Sequence, residues 1–391
     1  MAGVTPYPLH LRLEGRPVLV VGAGPVAARR VRALLAGGAV VRVVAIAVVD
    51  GFPDVLVDQR PFEPADVDGA WLVLACTGVV DDAVAAACEE RRIWCVRADD
   101  AAQSPAWVPA VAHVDDVVLS VTAGRDPRRA TALRDALALQ VEVGDLPLRR
   151  SRQGSGSVAL VGGGPGDPGL LTVRGRRLLA GADVVVRDRL APDVALPDGA
   201  EVVDVGKDPA GTSWKQGDIE ALLVERARAG ARVVRLKGGD VHLFARGIEE
   251  VAACVAAGVP VEVVPGVSSA FAVPAYAGVP VTARGVAQSV SVVSAHLPPG
   301  DPGSTVDWDA LARLGGTVVL LMAVGRMREV CEALMVGGRP GTTPVAVVQD
   351  GTRPEQRTVM TTLAWAAHDA ADVRAPAVVV VGEVVGERVQ V

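Results

Sequence analysis

Three glycine-bearing segments in the second half of the chain each follow a short valine-rich run. They are Gly162–Asp167 (GGGPGD), Lys237–Asp240 (KGGD) and Pro265–Ser269 (PGVSS). Glycine loops at the carboxyl ends of parallel strands present bare backbone to a ligand, so these loops predict one binding crevice. Asp167 would repel a pyrophosphate, which favours an uncharged or cationic ligand. The alternative is three unrelated turns.

A fourth glycine motif, in the first half, predicts a different ligand. Gly22, Gly24 and Ala27 form the spacing G-x-G-x-x-A directly after the run Val18–Val21. Gly22 permits a tight turn, Gly24 lets the backbone approach a pyrophosphate, and the small Ala27 lets a helix pack on a strand. The N-terminus of that helix then faces the phosphates with its free N–H groups. The alternative is a turn without a ligand.

These motifs need a sheet to position them, and the valine-rich runs supply its strands. Runs that are continuously apolar, and not alternating, indicate strands covered on both faces and therefore a largely parallel α/β sheet. The polar, Gly/Ser-rich segment 144–156 predicts a linker between domains 1–143 and 157–391. Helices are predicted at 28–36, 81–91 and 170–180, and strands at 18–21, 40–47, 71–75, 183–186, 202–205, 232–236, 261–264, 290–294, 318–322 and 376–381.

The composition excludes several classes of protein. The 391 residues carry a net charge of −6 and a pI of about 5.5, which disfavours a general nucleic-acid binder. Five cysteines without a C-x-x-C pair disfavour a zinc site or a disulfide framework and fit a reducing cytosol. No apolar run has the length of a membrane span, and the first ten residues do not form a secretory signal. We expect a cytoplasmic enzyme with a small-molecule substrate. His242 lacks a second metal ligand at helical spacing, so no metal site is predicted around it.

The first half resembles a known family. Its segments Leu11–Leu35 and Arg91–Cys95, together with Asp99, are similar to the N-terminal module of siroheme synthases. That module is a precorrin-2 dehydrogenase and sirohydrochlorin ferrochelatase. The resemblance implies a Rossmann-like domain that binds NAD, with Asp99 as the catalytic aspartate. No acidic residue ends the second strand, so the choice between NAD and NADP stays open. The implied NAD contacts are Pro25, Val26, Ile46 and Ala47.

Departures from that family keep a second interpretation open. Pro25 stands where the family usually has an acidic residue, and Val96 stands where it usually has Asn. A helical dimerisation region normally follows, and only the short linker is expected in its place. The alternatives are a plain solvated pair of Asp99 and Asp100 and a first half that binds a nucleotide or docks without catalysing a reaction.

The second half is similar to uroporphyrinogen-III C-methyltransferases over about 158–385. The motifs are GGGPGDPGLLT, VVVRDRL, RLKGGD, VVPGVSS, AYAGVPVTARG and VVQDGT, in the order of that family. The resemblance implies a two-lobed tetrapyrrole methylase (class III methyltransferase) fold, split near 280, with S-adenosylmethionine between the lobes, usually as a homodimer. It implies transfer of two methyl groups to pyrrole carbons of uroporphyrinogen III, giving precorrin-2. The implied S-adenosylmethionine contacts are Pro165, Gly238, Gly239, Asp240, Leu243, Ser268, Ser269, Met322 and Gly351.

The same resemblance implies which residues handle protons. Asp188 matches the proton acceptor of the family, and Lys207 matches the proton donor. The alternatives are an ion pair of Asp188 with Arg187 or Arg189, and an ordinary surface lysine. The eight substrate carboxylates need local cations, because distant charge is screened within about 8 Å at physiological salt. The candidates are Arg187, Arg189, Lys207, Lys215, Arg246 and Arg284.

Three hypotheses therefore compete for the whole chain. The first is a siroheme synthase-like enzyme with methyltransferase, dehydrogenase and ferrochelatase activities. The second is a methyltransferase with a non-catalytic N-terminal domain. The third is a methylase that acts on a later corrinoid precursor, against which the motifs VVRDRL and VGK and the nature of the first half argue.

Overall fold

The chain folds into two units, Met1–Leu137 and Ala138–Val391, which are described separately. The predicted limits of the linker, of the two domains and of the two lobes stay predictions. The structure is a computed structural model that describes residues 7–124, 126–146, 148–149, 154–206 and 214–389.

The first unit is built on a five-stranded parallel sheet with the order β3-β2-β1-β4-β5. Apolar side chains are buried on both faces of its central strands, which explains their continuously apolar sequences. The strand order reverses between β1 and β4, so the carboxyl ends of these two strands flank a crevice. The elements are β1 (Pro17–Ala23), α1 (Pro25–Ala36), β2 (Val40–Val48), β3 (Leu56–Gln59), β4 (Leu72–Ala75), α2 (Asp81–Glu90) and β5 (Trp94–Arg97).

A hairpin and a long helix follow this sheet. They are β6 (Ala110–Val114), β7 (Val117–Val121) and α3 (Pro127–Val143). The helix ends at Val143, within the predicted domain 1–143, and was not among the predicted helices. Most of its side chains are exposed, so its sequence has no continuous apolar stripe that would mark it as a helix. The Arg134 guanidinium donates to the Val111 carbonyl at 2.9 Å and ties the helix to the hairpin.

The second unit begins with a sheet that we call the first lobe. Its five strands are all parallel, in the order β10-β9-β11-β8-β12, so every carboxyl end lies at one edge. The elements are β8 (Ser157–Gly162), α4 (Val173–Ala180), β9 (Val184–Arg187), β10 (Glu201–Asp204), α5 (Gln216–Arg228), β11 (Arg232–Lys237), α6 (Gly247–Ala256) and β12 (Val261–Val264).

A second sheet, with the helices around it, forms the second lobe. Its order is β13-β14-β17-β15-β16, and only β13 and β14 are parallel neighbours. The sheet is therefore mixed, unlike the largely parallel sheet expected from the sequence, because β17 runs antiparallel to both of its neighbours and β16 runs antiparallel to β15. The elements are α7 (Ser269–Tyr276), β13 (Val290–Ser294), α8 (Trp308–Arg313), β14 (Thr317–Leu321), α9 (Met327–Val336), β15 (Pro344–Gln349), β16 (Arg357–Thr362), α10 (Ala366–Asp369) and β17 (Ala377–Val381).

The described part of the predicted linker is attached to the first lobe. The Leu148 N–H donates to the Ala180 carbonyl at 3.3 Å, and the Arg232 guanidinium donates to the Leu148 carbonyl at 3.0 Å. The Arg149 side chain lies 3.3 Å from the Asp183 carboxylate. This segment is thus fixed where the structure describes it. None of the helices in the described ranges combines the length and apolarity that a bilayer crossing requires.

Candidate active site

The three glycine loops of the second unit meet at the carboxyl edge of the first lobe. Gly164 and Gly239 exchange backbone hydrogen bonds of 3.2 and 2.8 Å. A Cβ atom on Gly162 would lie 2.4 Å from the Gly266 nitrogen, and one on Gly266 would lie 2.2 Å from the Gly239 oxygen. Backbones this close leave no room for a side chain, which explains why glycine occupies these positions. The loops therefore form one structural unit and are not unrelated turns.

Asp240 ties two of these loops together. Its carboxylate accepts hydrogen bonds from the backbone N–H groups of His242 at 2.8 Å, Leu243 at 3.1 Å and Gly266 at 3.2 Å. Burial alone would raise the pKa of this carboxyl, but the backbone hydrogen bonds outweigh burial and hold the pKa below its usual range. The ionised carboxylate thus fixes the backbone around Gly238 and Leu243.

The predicted serine contacts lie beside the KGGD loop. The Ser268 hydroxyl accepts a hydrogen bond from the Ala270 N–H at 3.2 Å and caps α7, of which Ser269 is the first residue. A Cβ atom built on Gly239 would find the Ser269 nitrogen, at 3.8 Å, as its nearest neighbour. Space therefore remains above Gly239, next to the N-terminus of α7.

Two predicted contacts come from the second lobe. Met322 follows β14 and Gly351 follows β15, and these strands end at the same sheet edge because each pairs antiparallel with β17. Met322 has a φ of 60°, while Asp350 and Thr352 have φ values of 49° and 69°. Left-handed non-glycine residues are strained and cluster at functional sites. A Cβ atom on Gly351 would lie 2.3 Å from the Val273 side chain, so this turn packs directly on α7.

The GGGPGD loop reaches across to the second lobe. The Asp167 N–H donates to the Thr352 hydroxyl at 3.1 Å, and a Cβ atom on Gly166 would lie 2.7 Å from the Arg353 side chain. Pro165 and Gly351 therefore lie where the two lobes meet. The structure thus brings the predicted S-adenosylmethionine contacts of both lobes to one region, although it does not test their roles.

Asp188 lies at the same edge, directly after β9, and belongs to a buried ionic cluster. The Arg235 guanidinium donates to its carboxylate at 2.5 Å, and the Lys237 ammonium lies 4.0 Å away. Arg235 and Lys237 both also bind Glu250, at 3.0 and 3.1 Å. The partners of Asp188 are therefore Arg235 and Lys237, while the anticipated alternative partner Arg187 lies 3.4 Å from Asp204.

The three partners in this cluster were not predicted from the sequence. The side chains of Arg235, Lys237 and Glu250 are 2%, 4% and 0% exposed. Burial, and then the adjacent Arg235, lower the pKa of Lys237, while Glu250 and Asp188 oppose this shift. The strand RVVRLK contains three cations, and the available signal was the two beyond its first residue, Arg235 and Lys237, because charges in a buried strand require buried partners.

Other predicted polar residues lie around this edge or outside the described residues. Lys207, the predicted proton donor, lies outside them. The Arg246 side chain pairs with Glu249, with 2.9 Å between Nε and Oε1. His242 is exposed.

In the first unit, the G-x-G-x-x-A motif forms the expected turn between β1 and α1. Gly22 has a φ of 104°, and a Cβ atom there would lie 2.9 Å from the Cys76 carbonyl oxygen, so both conformation and space require glycine. Gly24 precedes α1, and a Cβ atom there would meet no described atom within 4 Å. Pro25 is the first residue of the helix. Packing does not explain why residue 24 is a glycine.

The predicted NAD contacts on α1 and β2 lie at this sheet edge. Val26 and Ile46 are 43% and 73% exposed, and Ala47 follows Ile46 near the end of β2. An apolar surface therefore stands where many dinucleotide-binding folds carry an acidic residue.

Asp99 follows β5 and is paired with a cation of its own strand. The Arg97 guanidinium donates two hydrogen bonds to the Asp99 carboxylate, of 3.0 and 2.7 Å, and a third of 2.6 Å to Asp82. The hydrogen bonds from Arg97 lower the pKa of Asp99 to about 2. Asp99 is therefore an ionised, oriented carboxylate, and differs from the plain solvated pair considered as an alternative.

Comparisons with known proteins divide the chain into the same two parts, an N-terminal nucleotide-binding part and a C-terminal methylase part. The family model of Tetrapyrrole (Corrin/Porphyrin) Methylases matches residues 157–367, and a putative NAD(P)-binding model matches residues 9–110. Siroheme synthase 1 of Yersinia enterocolitica is 36% identical over 443 residues, covering 97% of this chain and 93% of that protein. The chain belongs to the siroheme synthase family.

Relatives of the second unit alone are more similar in sequence. An S-adenosyl-L-methionine-dependent uroporphyrinogen III methyltransferase of Methanosarcina barkeri is 47% identical over 235 residues, which are 59% of this chain and 92% of that protein. The crystal structure of uroporphyrin-III C-methyl transferase from Thermus thermophilus, complexed with S-adenyl homocysteine, superposes with a TM-score of 0.52. It shares 44% identity and corresponds to 59% of this chain and all of that one.

Family membership confirms the resemblance predicted for both halves and the predicted fold class. The chain is a methyltransferase of siroheme biosynthesis, with a tetrapyrrole methylase domain after an NAD-binding domain. Its predicted cofactors, S-adenosylmethionine and NAD, are confirmed.

Proposed function

We propose that the second unit transfers two methyl groups in turn from S-adenosylmethionine to pyrrole carbons of uroporphyrinogen III, giving precorrin-2. The observation that carries this proposal is the convergence of three glycine loops with Asp188 at one sheet edge. That arrangement provides a backbone-lined seat for one ligand next to an oriented carboxylate. The name of the Methanosarcina barkeri relative supports the same substrate.

The residues at this edge fit S-adenosylmethionine. The space above Gly239 lies beside the Ser269 N–H and the capped end of α7. Met322 and Gly351 approach from the second lobe on strained turns. When bound, this cofactor supplies an electrophilic methyl group. Holding donor and acceptor in attack geometry lowers the barrier by up to about 7–11 kcal/mol, which is the task of a rigid two-lobed seat.

Asp188 accepts the proton that the methylated ring must lose, or stabilises the positive charge formed there. Arg235 orients the carboxylate, and Glu250 neutralises the surplus positive charge of Arg235 and Lys237. Lys207 donates a proton in this proposal. A positioned acid or base contributes a factor of about 10²–10⁴ to the rate.

The carboxylates of uroporphyrinogen III require donors at the rim of this site. Each direct charge-assisted hydrogen bond contributes about 1.5–3 kcal/mol. Arg187 and Arg246 are two candidates with partly exposed guanidinium groups, which pair with Asp204 and Glu249 respectively. In the proposal, a substrate carboxylate binds each guanidinium group in place of the acidic side chain or in addition to it. Arg189, Lys207, Lys215 and Arg284 remain further candidates.

For the first unit we propose NAD-dependent oxidation of precorrin-2 and insertion of iron, with Asp99 as the catalytic carboxylate. Gly24 leaves its backbone open to a pyrophosphate, and Val26, Ile46 and Ala47 offer an apolar surface for the nucleotide. When bound, NAD accepts a hydride. Arg97 keeps Asp99 ionised, so Asp99 binds a cation or a protonated ring nitrogen.

A second candidate for the first unit is a nucleotide-binding or docking domain without catalysis. The pairing of Asp99 with Arg97 favours it, because a carboxyl whose pKa is about 2 is a weak proton acceptor.

We further propose a homodimer in the cytoplasm. A reducing compartment suits the five cysteines, all of which are free thiols.

The experiment adds substrates stepwise to the purified full-length chain and follows products by absorbance. Uroporphyrinogen III with S-adenosylmethionine should yield precorrin-2, and Asp188→Asn should slow this step at least 100-fold with cofactor binding retained. Absence of methylation by the wild-type chain would overturn the proposal. NAD and then Fe²⁺ should convert precorrin-2 further, and Asp99→Ala should abolish only that conversion. No effect of NAD in the wild type would establish the second candidate.

A further inference from the structure

Four residues at the junction of the two lobes form a closed ring of hydrogen bonds, through both backbone and side-chain groups. The Tyr276 hydroxyl donates to the Asp167 carboxylate at 2.8 Å, and the Gln356 amide donates to the Tyr276 carbonyl at 3.1 Å. The Thr352 N–H donates to the Gln356 amide oxygen at 2.9 Å, and the Asp167 N–H donates to the Thr352 hydroxyl at 3.1 Å. We call these four residues the lobe latch.

The latch joins the parts of both lobes that border the cofactor seat. Asp167 lies in the first-lobe loop that contains Pro165, and Thr352 follows Gly351 in the second lobe. Tyr276 is the last residue of α7, whose N-terminus carries Ser269. One ring of hydrogen bonds thus connects three segments that supply proposed contacts.

Close packing between Gly166 of the first lobe and the turn at Thr352 of the second lobe accompanies the ring. A Cβ atom on Gly166 would lie 2.7 Å from Arg353 Cγ and 3.0 Å from the Thr352 hydroxyl. Thr352 has a left-handed φ of 69°, which a β-branched residue adopts only when its surroundings impose it. The two lobes therefore pack closely here, and Thr352, one of the latch residues of the second lobe, is strained.

We propose that the lobe latch is a positioning device that sets the separation of the two lobes at which S-adenosylmethionine is seated. Tyr276, Gln356 and Thr352 are positioning residues, because they act through the loops and do not touch the reacting atoms. This inference rests on the proposed methyltransferase function. The Asp167 carboxylate is the hub of the ring, because it accepts bonds from Tyr276 and, at 2.7 Å, from the Gly169 N–H.

The test measures binding of S-adenosylhomocysteine and methylation kinetics for Tyr276→Phe, Gln356→Leu and the double variant of the full-length chain. Tyr276→Phe removes a hydrogen bond to a charged acceptor, and Gln356→Leu removes two neutral hydrogen bonds. Either loss corresponds to about 10-fold, so each single variant should weaken binding and raise KM about 10-fold. Because either change opens the ring, the double variant should lose little more than the worse single variant. A merely structural role predicts independent effects that multiply.

Three further variants distinguish an effect of the hydrogen-bonded ring on cofactor binding from an effect on the overall stability of the fold. Thr361→Val removes a 2.6 Å hydrogen bond to Asp369 elsewhere in the second lobe and should leave binding unchanged. Thr352→Ser keeps the hydroxyl that accepts from Asp167 and should bind like the wild type, whereas Thr352→Val should resemble Tyr276→Phe. Thermal melting of each variant identifies any that fails to fold.

The possible outcomes distinguish failure of the latch from failure of the function. Wild-type binding with unchanged binding in Tyr276→Phe and Gln356→Leu overturns the latch and leaves the proposed function intact. Multiplicative losses in the double variant also overturn it. If the wild-type chain neither binds S-adenosylhomocysteine nor methylates the substrate, the proposed function fails and the latch falls with it.

Discussion

At the scale of single residues, charge placement decides what the two sites do. Asp188 is only partly exposed, and the Arg235 guanidinium that holds it is almost wholly buried. Two buried cations face two carboxylates in this cluster, so the formal charges cancel. A cluster of this kind orients a carboxylate more rigidly than a surface ion pair does, because none of its buried partners can turn to water.

Glu250→Gln tests the cluster. The change leaves Arg235 and Lys237 buried with one carboxylate fewer, and breaking a buried ion pair costs about 3–5 kcal/mol. The free energy of opening of β11, measured by amide hydrogen exchange, should fall by that amount. The matched control is Glu249→Gln, which breaks an exposed pair with Arg246 and should cost at most about 1 kcal/mol. Equal effects of both variants would contradict the role of the buried cluster.

The Arg97–Asp99 pair makes a prediction about pH. Arg97 lowers the pKa of Asp99 to about 2, so the pair stabilises the fold above the unfolded-state pKa of about 3.9. This stabilisation is lost as the pH falls from about 4 towards 2. Urea unfolding should show the wild type as more stable than Asp99→Asn at pH 7 and pH 5, with a smaller difference at pH 3. A difference independent of pH would contradict the pairing.

At the scale of elements, the glycine loops work because parallel strands bring their carboxyl ends to one edge. Three loops from β8, β11 and β12 can then approach until backbone meets backbone. The second lobe adds Met322 and the Gly351 turn from strands that also end together. The strand order therefore determines where the site forms, and glycine occurs where the backbones of two loops are too close for a side chain.

Gly162→Ala tests that packing. The new methyl group would lie 2.4 Å from the Gly266 nitrogen, so the loops must separate. Overpacking of this kind costs about 1–3 kcal/mol, and we expect weaker binding of S-adenosylhomocysteine as well. Gly217→Ala in α5 is the control, because a Cβ atom there meets no described atom within 4 Å and alanine favours a helix. Calorimetric binding and urea unfolding of both variants check the prediction, and identical behaviour would refute it.

The apolar runs of most buried strands predicted them, but the buried β15 was missed and the largely exposed β10 was predicted. Strands β9, β11 and β12 lie within two residues of their predicted limits, because their valines pack into two buried clusters, with alternate residues of each strand in different clusters. Strand β16, RTVMTT, was missed because it is a polar edge strand, and α3 was missed because its side chains are mostly exposed. The convergence of the glycine loops was predictable from motifs, whereas the partners of Asp188 depend on side-chain contacts across strands.

At the scale of the whole molecule, two units with separate sheets carry separate ligand seats. The first has a dinucleotide turn and a paired aspartate, and the second has two lobes joined by the lobe latch. Each unit has its own buried core, so a change at one site should leave the other folded. If the proposed functions of both units hold, the fusion places an enzyme and the consumer of its product in one chain.

The most direct test of the central claim is a crystal structure of the full-length chain with S-adenosylhomocysteine. We predict that the ligand lies between the two lobes, against Gly239 and Ser269 on one side and Met322 and Gly351 on the other, with Asp188 facing its sulfur. Density for the ligand elsewhere on the second unit, or a closed gap between the loops that admits no ligand, would contradict the account.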